Sequence, residues 1–228
     1  MPDIHIVKQY EEELRQIKEK VLRLGGLVEE QIAKSIKALV ERDTKLAEST
    51  MEDDHIVNGL EVEIDELCLK VLALRQPAAS DLRLITTAIK IITDLERIGD
   101  MAVNLCERAV ELNEEPPLKP YIDIPRMAEA AQRMLKESLD AFVNGDTILA
   151  TKVLTEDDFV DDLNRQIFRE LLTFMLEDPN TISRAMKVLF ISKYLERIAD
   201  HATNIAEMVV FMVKGKVIRH IKPQTENQ

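Results

Sequence analysis

The chain has 228 residues, with 42 acidic against 30 basic side chains and a formal net charge of −12. Hydrophobic residues make up 46% and charged residues 32%, a balance that buries a core under a solvated surface and excludes global disorder. With 6 glycines, 8 prolines, 4% aromatics and no tryptophan there are too few turn and strand formers for an all-β fold, and the net acidity argues against nucleic-acid binding.

Prolines at 2, 77, 116, 117, 120, 125, 179 and 223 leave long stretches whose apolar residues recur at helical spacing. Breaks at Arg42-Asp43, Gln76-Pro77, Asn113 to Pro120, Asn144-Gly145-Asp146 and Asp178-Pro179 predict an all-α chain of six helices. Several are expected to be about 30 residues, or roughly 45 Å, long. In the second helix Leu46, Thr50, Asp53, Val57, Leu60, Ile64, Leu67, Val71 and Leu74 form a seam spaced four and three apart, the pattern of near-antiparallel helices in a bundle. Short turns at Pro77 and Pro179 make helices 2/3 and 5/6 antiparallel hairpins. The stacked prolines of 113–120 favour an extended path and divide the chain. The expected organisation is a first three-helix unit (1–112), a proline-rich linker (113–121), a second three-helix unit (122–215) and a tail (216–228).

The start, Met1-Pro2-Asp3-Ile4-His5, has neither a basic region nor an apolar one, and no window approaches a membrane span. The expectation is a cytoplasmic chain without membrane insertion. Cys68 and Cys106 lie in apolar helical segments, read as free buried thiols, and neither belongs to a CxxC pair.

The strongest signal is an internal repeat. Residues 96–107, ERIGDMAVNLCE, recur at 196–207 as ERIADHATNIAE, with seven of twelve positions identical. Upstream, Asp43 answers Asp146, Asp54 answers Asp157, Val57 answers Val160, Leu60 answers Leu163 and Pro77 answers Pro179. Two duplicated three-helix bundles packed side by side follow.

Within the repeat, Glu96, Asp100, Asn104 and Glu107 fall in an arc of about 80°, apart from the core-facing Leu95, Ile98, Ala102 and Leu105. Glu96 and Asp100 are like charges at i, i+4, which cost a helix about 0.2–0.5 kcal/mol without a counter-charge; Glu196 and Asp200 repeat them. A second pair stands on the preceding helix of each unit, Asp54 with Asn58 and Asp157 with Asp161. Asp54 is 23 residues before Pro77 and Asp100 is 23 after it; Asp157 is 22 before Pro179 and Asp200 is 21 after it. Antiparallel partners at equal counts are level, so each unit gathers up to four oxygen-bearing side chains. Such clusters suit Mg²⁺, Ca²⁺, Mn²⁺ or iron. The competing reading is a solvated acidic face balanced by Arg97 and Arg197.

A di-metal enzyme of ferritin-like type is a further alternative, but only Glu52 and His55 have the Glu-x-x-His spacing, and Thr155 and Asp158 replace them in the second unit. His5 and His220 lie near the chain ends, and His201 reads as a surface histidine that can also join the second-half site. No phosphate loop, serine elbow or Cys-His nucleophile is present.

The paired motifs Gln76-Pro-Ala-Ala-Ser-Asp-Leu-Arg83, Asp94-Leu-Glu-Arg-Ile-Gly-Asp100, Leu176-Glu-Asp-Pro179 and Leu195-Glu-Arg-Ile-Ala-Asp-His-Ala202 resemble the PhoU family over about Tyr10 to Lys214. That resemblance implies a cytoplasmic homodimer of two three-helix bundles. It implies a negative regulator of the phosphate-starvation response, bridging the phosphate ABC transporter's ATPase subunit and a phosphate-sensing histidine kinase. It also implies metal ions on Glu96, Asp100, Glu196, Asp200, Asp157 and Asp161. Asp54 with Asn58 departs from the pattern, because an amide stands where a second carboxylate is expected, so that site is expected to be weaker or to hold fewer ions.

Overall fold

The computed structural model describes residues 3–216, with side chains from Lys8 onward. The tail beyond Lys216, with His220, and the side chain of His5 lie outside the described residues. The described chain is helical: α1 (Asp3–Glu41), α2 (Thr44–Glu52), α3 (Asp54–Arg75), α4 (Ala79–Asn113), α5 (Asp123–Asn144), α6 (Thr147–Glu177), a 3₁₀ turn (Pro179–Thr181) and α7 (Ile182–Lys214). No helix among the described residues is long and apolar enough to cross a membrane.

The breaks fall where the punctuation puts them. Asp43 and Asp146 cap the helices that follow, Asp43 accepting from the Leu46 amide at 3.0 Å and Asp146 from those of Ile148 and Leu149 at 2.9 and 3.0 Å. The left-handed residue before each cap is Gly145 in one repeat and Arg42 in the other. Arg42 offsets that backbone strain by donating to the carbonyls of Leu112, Asn113 and Glu115 at 3.2, 2.8 and 2.6 Å, closing the end of α4.

The predicted second helix is interrupted at one residue. Asp53 separates α2 from α3 and, though on the seam, is exposed, as is Leu74; the buried row is Thr50, Val57, Leu60, Ile64, Cys68 and Val71. α6, its counterpart, is continuous. At the position equivalent to Asp53, Glu156 is neutralised by Lys152 at 3.3 Å and Arg133 at 3.4 Å. Among the described residues Asp53 has only Lys34, at 3.8 Å; it stands between two further acids, and Ser49 stands where α6 has Lys152. Three adjacent carboxylates with one distant cation among them, and serine and threonine bonds back to Leu46, weaken the ladder there.

Helices α1, α2, α3 and α4 make one bundle and α5, α6 and α7 the other. They join through α4 against α7 and α1 against α5, whereas α2–α3 and α6 touch only their own repeat. One apolar cluster runs through both bundles. Both cysteines are free and buried, and burial pushes each thiol up to about 12. Each outer helix thus forms, with α4 or α7, a flank on which polar residues face solvent.

Candidate metal centre

On the α6–α7 flank, Asp157 and Asp161 come from α6 and Glu196 and Asp200 from α7. Val160, Leu163 and Leu195 between them are buried, which fixes the phase of each helix and leaves the carboxylates at the rim. Partial burial, followed by the charges of Asp200, Asp161, Asp158 and Glu196, pushes the Asp157 carboxyl up to about 6. Burial and Glu196 raise Asp161 as well, against Arg165 and Lys193; burial and Glu196 also raise Asp200. The four predicted residues therefore share one electrostatic site. Lys193 forms an ion pair with Glu196 at its edge.

On the α3–α4 flank, Asp54, Glu96 and Asp100 come together in the same way. Burial, Asp100, Glu61 and Asp54 raise the Glu96 carboxyl, with Arg97 opposing. Arg97 lies 3.3 Å from Glu96 and 3.1 Å from Asp100. Asn58 donates to Asp54 at 2.9 Å, and Gln31 of α1 donates to its other oxygen at 3.2 Å. Gly99 makes room for that glutamine: a Cβ there would stand 3.3 Å from Gln31 Oε1 and 3.5 Å from Asp54 Oδ1. Among the described residues Gln31 Oε1 is buried without a hydrogen-bond partner.

Tested against a hard cation, both clusters fit by donor chemistry and by register, and each has a buried amide oxygen without a partner among the described residues, Gln31 Oε1 at the first and Asn164 Oδ1 beside the second. Among the described residues no three His, Cys, Asp or Glu side chains already converge on one point. The Glu52/His55 pair faces elsewhere. Both residues are exposed on either side of the Asp53 break, and His55 Nδ1 lies 2.6 Å from the Glu52 carbonyl. His201 turns away from the second cluster; its side chain is largely buried against α4, with Nδ1 2.6 Å from Asp94.

The PhoU domain matches this sequence twice, over residues 21–109 and 124–209. The chain belongs to the PhoU family. The phosphate-specific transport system accessory protein PhoU homolog of Pseudomonas aeruginosa is 43% identical over 229 residues, covering 98% of this chain and 95% of that protein. The crystal structure of PhoU from Pseudomonas aeruginosa superposes with a TM-score of 0.87 at 43% identity, over 91% of this chain and 100% of that one. That of the phosphate transport system regulatory protein PhoU from Streptococcus pneumoniae gives 0.85 at 28% identity, over 91% and 98%. Each PhoU match falls within one bundle, so the duplication in the sequence is the duplication in the fold.

This PhoU fold brings in one residue that the paired motifs miss. Glu61, close enough to raise Glu96, follows Asp54 and Asn58 at i+7 on α3. On α6 the same spacing holds Asp157, Asp161 and Asn164. Acid and amide have exchanged places between the repeats, so with Glu61 each flank carries four carboxylates.

Proposed function

We propose that the chain is a non-enzymatic cytoplasmic regulator of phosphate uptake and the phosphate-starvation response. It acts as a homodimeric adaptor between the phosphate ABC transporter's ATPase subunit and the sensor histidine kinase. The observation that carries this reading is likeness over almost the full length of both chains to a protein named for its accessory role in phosphate-specific transport. The two acidic flanks supply the means. Each presents a level group of carboxylates on a rigid helix pair, where a basic partner surface gains from opposite charge on encounter.

We further propose that Asp54, Glu61, Glu96 and Asp100, and Asp157, Asp161, Glu196 and Asp200, hold divalent or iron-type ions. Such ions, when bound, lower the mutual repulsion within each group. The chain's own part is to hold these oxygens level on partly buried helix faces.

Alkaline phosphatase measured in phosphate-rich medium tests the reading, in a strain lacking the gene and complemented with wild type or a variant with Glu96, Asp100, Glu196 and Asp200 all changed to Ala. Wild type is expected to restore repression and the variant to fail at unchanged helicity. Repression by both removes the role of the flanks; repression by neither removes the regulator reading.

A further inference from the structure

The outer face of the α6–α7 hairpin carries a feature that the acidic flanks do not use. Six apolar side chains stand exposed there in two rows of i, i+4 spacing, Phe168, Leu172 and Leu176 on α6 and Ile182, Met186 and Phe190 on α7. Counted from Pro179 they form three level rungs: Leu176 with Ile182, Leu172 with Met186, Phe168 with Phe190. At the equivalent positions the first repeat has Ala73, Leu69 and Asp65 on α3 and Leu82, Thr86 and Lys90 on α4. Three-helix packing therefore does not require the aromatic rung, and an exposed apolar strip of this extent marks a contact surface.

The two ends of the strip differ. Between Phe168 and Phe190, 49% and 46% exposed, lies a groove of about 610 Å³ floored by Leu189 and rimmed by Arg165, Arg169 and Lys193. Arg169 pairs with no carboxylate among the described residues; its Nε donates to the Arg165 carbonyl at 3.3 Å. At the hairpin end Leu176 projects at 77% exposure, followed by the exposed acids Glu177 and Asp178. One face thus carries both an apolar groove with cations and a projecting leucine with acids, about 12 Å apart along α6.

We propose that this face binds a second copy of the chain about a two-fold axis lying in the plane of the face and crossing both helices at the Leu172–Met186 rung. That rotation reverses helix direction and sets α6 on α6 and α7 on α7. Leu176 enters the groove beside the partner's Phe168, Ile182 meets the partner's Phe190, and Glu177 and Asp178 face the partner's Arg169 and Arg165. One operation satisfies both ends, so the contact closes as a dimer rather than growing into a filament. An anionic lipid surface would attract the rim cations but repel the hairpin acids and the net charge of −12. The contact gives the proposed homodimer its surface, and it rests on this face rather than on the regulator reading.

Analytical ultracentrifugation of the full chain, with circular dichroism on each variant, tests it. The wild type is expected to show a reversible dimer that Leu176→Asp weakens roughly tenfold or more at unchanged helicity. Glu177→Lys and Arg169→Glu are each expected to weaken it alone. Mixed together they restore a heterodimer, because both end contacts again pair opposite charges. A wild type that stays monomeric, or a dimer indifferent to all three substitutions, overturns the proposal. So does flotation of monomeric wild type with phosphatidylglycerol vesicles that Arg169→Glu abolishes, which assigns the face to lipid. Phosphatase repression is read separately, so failure here leaves the regulator reading standing.

Discussion

Glu61 stands one heptad beyond Asp54, on the same stripe of α3, and its charge reaches Glu96. A hard cation draws on charged oxygens more than on amides. Glu61→Gln is therefore expected to weaken Mn²⁺ uptake on the first flank by roughly tenfold, and Asn58→Ala by no more than about twofold. Equilibrium dialysis in a Glu196→Ala, Asp200→Ala background reads that flank alone; equal losses would return the ligand role to Asn58. The acidic pairs themselves were legible as i, i+4 repeats, but Glu61 was not, because its counterpart Asn164 is no acid and comparison of the repeats discards it. His201 was misread for a related reason: its partner, Asp94, lies on the other repeat, and no spacing within one repeat reveals it. Asp157 gives a prediction in pH. Its folded pKa, about 6, lies above the unfolded value, so the folded chain carries a penalty that is full above that pH and relieved as pH falls toward about 4. In metal-free protein Asp157→Asn is expected to raise stability at neutral pH by on the order of 1 kcal/mol after solvent screening. Melting curves across that window are expected to show the difference vanishing toward acid; a constant difference would mean Asp157 ionises freely.

A helix can be read from periodicity while its neighbours cannot, and α1 shows the gap. Its adjacent Gly25 and Gly26 look alike in sequence, yet Gly25 is buried and Gly26 exposed. A Cβ on Gly25 would come within 2.2 Å of Leu139 Cδ1 on α5, whereas nothing lies within 4 Å of one on Gly26. Gly26→Ala is thus expected to stabilise by roughly 0.5–1 kcal/mol through helix propensity alone. Gly25→Val forces Leu139 out of its place in a closed core and is expected to cost on the order of 1–3 kcal/mol. Chemical denaturation of the two variants checks the pair, and equal gains would mean that α1 and α5 are not in close contact. The six helices and their hairpins follow from proline, aspartate and glycine punctuation. The Asp53 break does not, since it depends on whether a distant cation reaches a seam carboxylate: Arg133 of α5 does so for Glu156, while Lys34 barely does for Asp53.

Duplication invites the expectation that each bundle is its own folding unit, and the packing argues otherwise. The four helices at the centre, α1, α4, α5 and α7, are drawn two from each repeat, and one apolar cluster spans them. Part-buried polar contacts also cross the junction. Lys18 donates to the Val143 carbonyl at 3.0 Å, Gln132 to that of Glu29 at 2.9 Å and Arg83 to that of Met212 at 2.9 Å, beside the Asp94–His201 pair. The proline segment is itself tied down, with Lys187 2.8 Å from Glu115 and Arg184 donating to the Pro116 carbonyl at 3.0 Å. Separating the repeats would expose the apolar faces of α4 and α7 together with these unpaired groups, a cost that neither bundle recovers alone. The full chain is therefore expected to unfold in one transition despite a length at which intermediates are common. Urea titrations followed by far-ultraviolet circular dichroism and by tyrosine fluorescence should coincide, with Tyr10 in the first repeat and Tyr121 and Tyr194 in or beside the second reporting the same midpoint. A fragment ending at residue 113 should lose most of its helicity or self-associate through its exposed α4 face. Two separated transitions, or a monomeric helical fragment, would show instead that each repeat carries a sufficient core of its own.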